Sequence, residues 1–231
     1  MPAVSTTVTI AELTIADEPA TWAALGFAVD RDACRIGAVP IRLAGRAAGR
    51  GIVSWTLSGA ASDELDGLPT DHETAARAEA PPVAPPSGDT PGPTGTVPPA
   101  HPNGIAGFDH LVAISPALER TIAALQAAGL DLRRIREEPT PAGAPRQAFF
   151  RLGAAILEVV QAPDEAIERS GGPDGPAFFW GLALTAPDLD ATVACLDDHV
   201  SEIRPAIQPG RRIATLRRSA GLAVPVALMS E

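Results

Sequence analysis

The segment FDHLVAISPALERTIAAL, residues 108–125, recurs 71 positions later as FWGLALTAPDLDATVACL, residues 179–196, with no gap between the two. Phe108 meets Phe179, Leu111 meets Leu182, Pro116 meets Pro187 and Leu118 meets Leu189. Thr121, Ala123 and Leu125 meet Thr192, Ala194 and Leu196. Each copy reads as a strand, a short turn and a helix. Ser115 is a natural N-cap, with Pro116 at the first helical position, where a missing N–H costs nothing. Leu118, Ile122 and Leu125 fall on one helical face, and Gly129 is a stop signal.

Strand signals come after each helix. In the first copy they are 132–136, 147–152 and 155–161; in the second, 204–207, 212–217 and 224–229. Each copy is therefore a βαβββ unit. The N-terminal region reads as a shorter third copy: a strand at 10–16, a helix at 19–25, and returning strands at 34–43 and 51–57, punctuated by Gly26 and by Gly45, Gly49 and Gly51. Residues 79–104, EAPPVAPPSGDTPGPTGTVPPAHPNG, hold nine prolines and almost nothing apolar larger than valine. Such a stretch cannot bury enough surface to offset its ordering entropy. The chain thus divides into an N-terminal module (1–61), a partly disordered Pro-rich linker (62–104), and a unit of two modules (105–162 and 177–231). The fold class is α+β: repeated βαβββ modules forming curved mixed sheets, with helices packed on the outer face.

Composition removes several reaction classes. All 18 basic residues are arginine, and tyrosine is absent. Without lysine there is no Schiff base, no pyridoxal phosphate anchor and no P-loop lysine. A net charge of −10 argues against nucleic acid as a partner. No apolar run reaches the roughly 18–20 residues of a membrane-spanning helix, and residues 1–9 lack the pattern of a secretory signal. The expected compartment is the cytoplasm, where Cys34 and Cys195 stay reduced. There is no GxSxG, no HExxH and no dinucleotide fingerprint after a strand.

The strand FDHLVA, a helix, and a late strand RLGAAILEVV together resemble the vicinal oxygen chelate superfamily of glyoxalases, methylmalonyl-CoA epimerases, extradiol dioxygenases and bleomycin-resistance proteins. The resemblance covers most of 105–231 and, more loosely, 6–60. It implies a cup around a divalent metal, with one ligand from the first and one from the fourth strand of each module. The matching positions in the middle module are His110 and Glu158. An imidazole and a carboxylate suit Zn, Ni, Fe, Mn or Co, and side-chain alternation lets both face inward. Glu158 is the one charged residue of an apolar strand, so it needs a partner: a metal, or an ion pair with Arg146 or Arg151.

The last module offers only Gly181 and about Ala227 at those positions. Glu12 aligns with His110, and about Ser54 with the fourth-strand position, so Glu12, His110 and Glu158 form a candidate three-ligand set. Glu158 and Glu12 are the candidate proton carriers. Arg211 and Arg217, on one strand face, together with Trp180 and Phe150, are candidate substrate contacts. His72, His101 and His199 are assigned no chemistry. The expected activity is that of a metal-dependent lyase or isomerase acting on a small oxygenated metabolite through an enediolate-type intermediate. The alternative is a metal-free, drug-sequestering binder of the same fold. Three modules in a fold that pairs them further imply a homodimer.

Overall fold

The structure, a computed structural model, describes residues 7–71, 101–140, 143, 145–169 and 172–231. Residues 72–100 of the expected linker, including His72, lie outside the described residues. The N-terminal unit runs β1 (Thr9–Ile15), α1 (Pro19–Ala24), β2 (Val29–Asp30), β3 (Ala33–Ile36), β4 (Val39–Leu43), β5 (Ile52–Ser58) and β6 (Thr70–Asp71). The next module is β7 (Gly107–Ser115), α2 (Leu118–Ala127), β8 (Asp131–Arg136), β9 (Gln147–Leu152) and β10 (Ala155–Gln161). After a short helix α3 (Asp164–Arg169), the last module is β11 (Phe178–Thr185), α4 (Leu189–Leu196), β12 (Arg204–Pro205), β13 (Arg212–Thr215) and β14 (Val226–Met229).

These strands form a six-stranded sheet, β2-β3-β4-β1-β5-β6, and an eight-stranded sheet, β12-β13-β14-β11-β7-β10-β9-β8. The fold class expected from the repeat is the one observed. In every module the first strand lies parallel to the fourth: β1 with β4, β7 with β10, β11 with β14. A parallel pair needs a crossover, and the helix supplies it. The two modules of the large sheet meet through their first strands, antiparallel, with Leu111 opposite its own repeat equivalent Leu182. A local two-fold therefore passes through that pair.

The N-terminal unit repeats this arrangement, but with its strands assigned differently from the sequence expectation. The stretch 34–43 is two strands, because Gly37, at φ 57°, turns the chain between Ile36 and Val39. The fourth strand is consequently β4, and β5 is the first strand of a further, truncated module. β5 is antiparallel to β1, with Leu13 opposite Trp55, and carries only the short parallel strand β6 beside it. First strands thus pair within the chain in both sheets, and the odd count that implied a homodimer disappears.

Alternation sets the two faces of each sheet. On β7, Leu111, Ala113 and Ser115 are buried, whereas His110, Val112 and Ile114 are half-buried on the other face. On β10, Leu157 and Val159 point to the core, and Ile156, Glu158 and Val160 away from it. Ser115 does not cap α2 by side chain from the N-cap position, which is Ala117; its Oγ instead accepts from the Ala117 N–H and shares a hydrogen bond with the Thr121 hydroxyl. Gly129 ends the helix in the left-handed region, as expected.

One apolar cluster spans both sheets. Trp55 is fully buried and packs edge-on to Phe179 at 5.0 Å, and Arg120 binds Asp66 at 2.6 Å. The ends of the expected linker belong to this body. Leu65 and Leu68 are buried, as are His101 and Asn103. His101 Nδ1 accepts from the Ala28 N–H at 3.0 Å, and the Asn103 amide donates to the Leu25 carbonyl. Apolar and hydrogen-bonding partners elsewhere in the fold, rather than local composition, order these ends.

Candidate acid–base site

His110 on β7 and Glu158 on β10 come from neighbouring parallel strands. Glu158 lies opposite Val112, two residues beyond His110, so both side chains rise from one face. His110 Nε2 is 3.3 Å from Glu158 Oε2. Neither Arg146 nor Arg151 pairs with this carboxylate. Arg146 binds Glu137 and Glu119, each at 2.6 Å, and Arg151 donates to the Gly153 carbonyl. Glu158 instead accepts from the Gln147 amide on β9, leaving Gln147 Oε1 buried with no partner among the described residues.

The imidazole is held from behind. His110 Nδ1 is 2.7 Å from Asp109 Oδ1, and Arg211 Nη2 donates to Asp109 Oδ2 at 2.5 Å. Arg211 is fixed in turn by the Ser230 carbonyl and the Gln208 amide oxygen. Burial pushes the Asp109 carboxyl up, but hydrogen bonds from His110 and Arg211 and their charges outweigh it and hold the group down to about 2. An ionised Asp109 selects the tautomer with hydrogen on Nδ1 and aims Nε2 at Glu158. Glu158 is perturbed the other way. Burial raises it above the ordinary carboxylate value, against the charge of His110, the Gln147 hydrogen bond and the charge of Arg136. Two carboxyls with oppositely shifted proton affinities thus flank one imidazole.

The two-fold places Gly181 and Ala227 at the positions equivalent to His110 and Glu158. Neither carries a donor. A Cβ at residue 181 would meet the Pro225 carbonyl oxygen at 2.8 Å, so no side chain fits there. Glu12 does not complete the set. It lies on β1 of the other sheet and accepts from Arg42 Nε at 3.0 Å. Ser54, expected on a fourth strand, sits on first strand β5; the fourth-strand position beside Glu12 belongs to Arg42, opposite Thr14. Among the described residues no group of three or more His, Cys, Asp or Glu side chains is arranged to hold a metal. His110 and Glu158 are one protein ligand short of a catalytic zinc site. These two donors alone do not complete the site of the divalent ion that the resemblance implies.

The remaining expected contacts separate. Phe150 is fully buried in the core, and it is Phe149, opposite Glu158, that shares the site's face. Trp180 is the extra residue of a bulge between Phe179 and Gly181 and is 51% exposed. Arg217 lies beyond the end of β13, where it donates to the Asp198 carbonyl at 3.5 Å, whereas Arg211 precedes β13 and binds Asp109. Sequence reasoning misses Asp109 and Gln147. The acidic neighbour of His110 is the available signal for the first; nothing local marks the second, whose role depends on which strand lies beside β10.

No protein-family model matches the chain, and no curated protein matches it. Among solved structures, methylmalonyl-CoA epimerase from Mycobacterium tuberculosis is 18% identical over 55% of this chain and 89% of that chain, with a TM-score of 0.44. A variant of the Streptomyces coelicolor methylmalonyl-CoA epimerase in complex with 2-nitronate-propionyl-CoA is 22% identical over 55% and 98%, with a TM-score of 0.44. A methylmalonyl-CoA epimerase in complex with methylmalonyl-CoA and NH4+ is 22% identical over 54% and 93%, with a TM-score of 0.43. Each likeness extends over about half of this chain.

Proposed function

We propose that this chain is a proton-transfer isomerase, or a lyase of the same chemistry, acting on a small oxygenated metabolite. His110 and Glu158 carry the proton. The observation that supports this is the 3.3 Å approach of Nε2 to Oε2 with Asp109 fixed behind the ring. With Nδ1–H directed to Asp109, the proton used in the reaction is the one exchanged between Nε2 and Oε2. When it rests on His110, Glu158 is a base with raised proton affinity and the imidazolium is its adjacent acid. A C–H bond next to a carbonyl breaks toward Glu158, and its electron pair moves into the carbon–carbon bond as the carbonyl becomes an enolate. His110 Nε2–H stabilises the new oxyanion. Return of a proton to carbon completes the isomerisation with no change in oxidation state.

The test is hydrogen–deuterium exchange at the α-carbon of small 2-oxo and 3-oxo acids in D2O, monitored by NMR. Wild type should exchange one or more of them, and His110→Ala and Glu158→Gln should not. A second reading, the ligand-sequestering binder, is favoured by the bare positions Gly181 and Ala227. It requires binding of such compounds without exchange. Of the described residues, no helix is long and apolar enough to cross a membrane.

A further inference from the structure

The outer edge of the eight-stranded sheet carries two arginines that the acid–base chemistry leaves unused. Simple alternation along β8 would put Arg134 on the same face as Leu132, toward the core. It does not lie there. Leu132 pairs with Phe150, but Arg134 pairs with Phe149, so Arg133 is an inserted bulge residue. A bulge reverses the facing of the residues after it and re-aims side chains, often beside active sites. Here it turns both Arg134 and Arg136 onto the face of Phe149, Gln147 and Glu158, since Arg136 pairs with Gln147.

The Arg134 guanidinium carbon lies 5.0 Å from the Phe149 ring centroid, and the residue has no carboxylate partner among the described residues. Arg136 has only a loose 3.7 Å contact with Glu138, which is itself 85% exposed. Its charge is nevertheless felt by Glu158. By contrast Arg133, the bulge residue, is neutralised by Asp131 at 3.1 Å. Two under-neutralised cations therefore face the same side as the His110–Glu158 pair. Phe149 stands between Arg134 and Glu158 in the ladder, so their backbones lie two strand spacings, roughly 10 Å, apart, a gap that the Arg134 side chain, stacked on Phe149, and a small anion together span.

We propose that Arg134 and Arg136 form a carboxylate-binding site that seats an anionic substrate with its reactive carbon beside Glu158. The substrate class is a small oxo-carboxylate, its carboxylate forked by the guanidinium in the bidentate manner. The anion site stands on the arginine geometry alone; its assignment to substrate rests on the acid–base reading above.

The experiment is titration with malonate at low ionic strength, read by calorimetry and amide NMR. Wild type should bind, more weakly as salt rises. Arg134→Gln and Arg136→Gln should each weaken binding about tenfold or more, whereas Arg133→Gln should change it less than about twofold. His110→Ala should retain malonate, so loss of exchange with retained binding separates failure of the chemistry from failure of the anion site. Undiminished binding by Arg134→Gln, an equal loss in Arg133→Gln, or no binding by wild type at tens of millimolar would overturn the proposal. Tighter binding of inorganic phosphate than malonate at these arginines would overturn the carboxylate assignment.

Discussion

The small and the large sheet have four residues each at equivalent positions of one pattern, yet fill them with different chemistry. In the small sheet they are Glu12, Arg42, Ser54 and Asp71, set by the pairings of Thr14 with Arg42, Thr14 with Ser54 and Thr56 with Asp71. In the large sheet they are His110, Glu158, Gly181 and Ala227. The small sheet closes on itself: Arg42 bonds Glu12 at 3.0 Å, and Ser54 Oγ donates to Asp71 at 2.5 Å. A guanidinium stays charged at any ordinary pH, so that pair is fixed. The large sheet sets a titratable ring against a carboxyl of raised proton affinity and leaves the opposite half bare. The same backbone register thus yields an arginine–carboxylate pair in one place and a histidine–carboxylate pair opposite two positions without donors in the other.

The comparison breaks most visibly under substitution of the charged members. Glu158→Gln should lower α-proton exchange by about a hundredfold or more, while Glu12→Gln should leave it unchanged; the exchange rates in D2O decide. If Glu12→Gln abolished exchange, the two sheets would share one site and the distinction would fail. Next in size is the shared core. Trp55→Ala, between the sheets, should cost about 3–5 kcal/mol by denaturant titration, and both units should unfold in one transition, because their apolar cluster is continuous.

Acid and base should then act on the two regions in opposite directions. Glu158 binds its proton more tightly in the fold, so its contribution to stability declines as pH rises from the ordinary value of 4.5 through the raised one. Glu158→Gln should flatten that limb of a stability–pH curve. Burial lowers His101 below 6.5 despite an opposing contact with the Arg35 backbone. Its neutral Nδ1 accepts from Ala28, so stability declines as pH falls from 6.5 through the lowered value. His101→Gln should remove that dependence, measured by thermal melts. The smallest effect belongs to Glu12 and Arg42: a double-mutant cycle should give a coupling of about 1 kcal/mol or less, since Arg42 is 36% exposed.

Much of the large sheet is legible in the chain because repeat and alternation are local properties. The 71-residue offset locates both modules, and strand period places His110 and Glu158 on one face. The N-terminal unit is less legible. A single glycine, Gly37, decides whether 34–43 is one strand or a hairpin, and the wrong choice moves the fourth strand from Arg42 to Ser54. Phe150 and Phe149 are indistinguishable by type; only pairing with the Leu157–Glu158 strand tells which faces the core.

By itself the chain's order of residues determined the repeat, the strand and helix types of the central modules, the exclusion of lysine chemistry, and the pair His110–Glu158. These rest on side-chain period and residue chemistry, which act over a few positions. Tertiary structure decided everything that depends on partners far along the chain. It put Arg211 behind Asp109 across 102 positions, closed Glu12 onto Arg42, and used one inserted residue at Arg133 to turn Arg134 onto the face of Phe149 and Glu158. A bulge exists only relative to the strand beside it, so no pattern within β8 alone could reveal it.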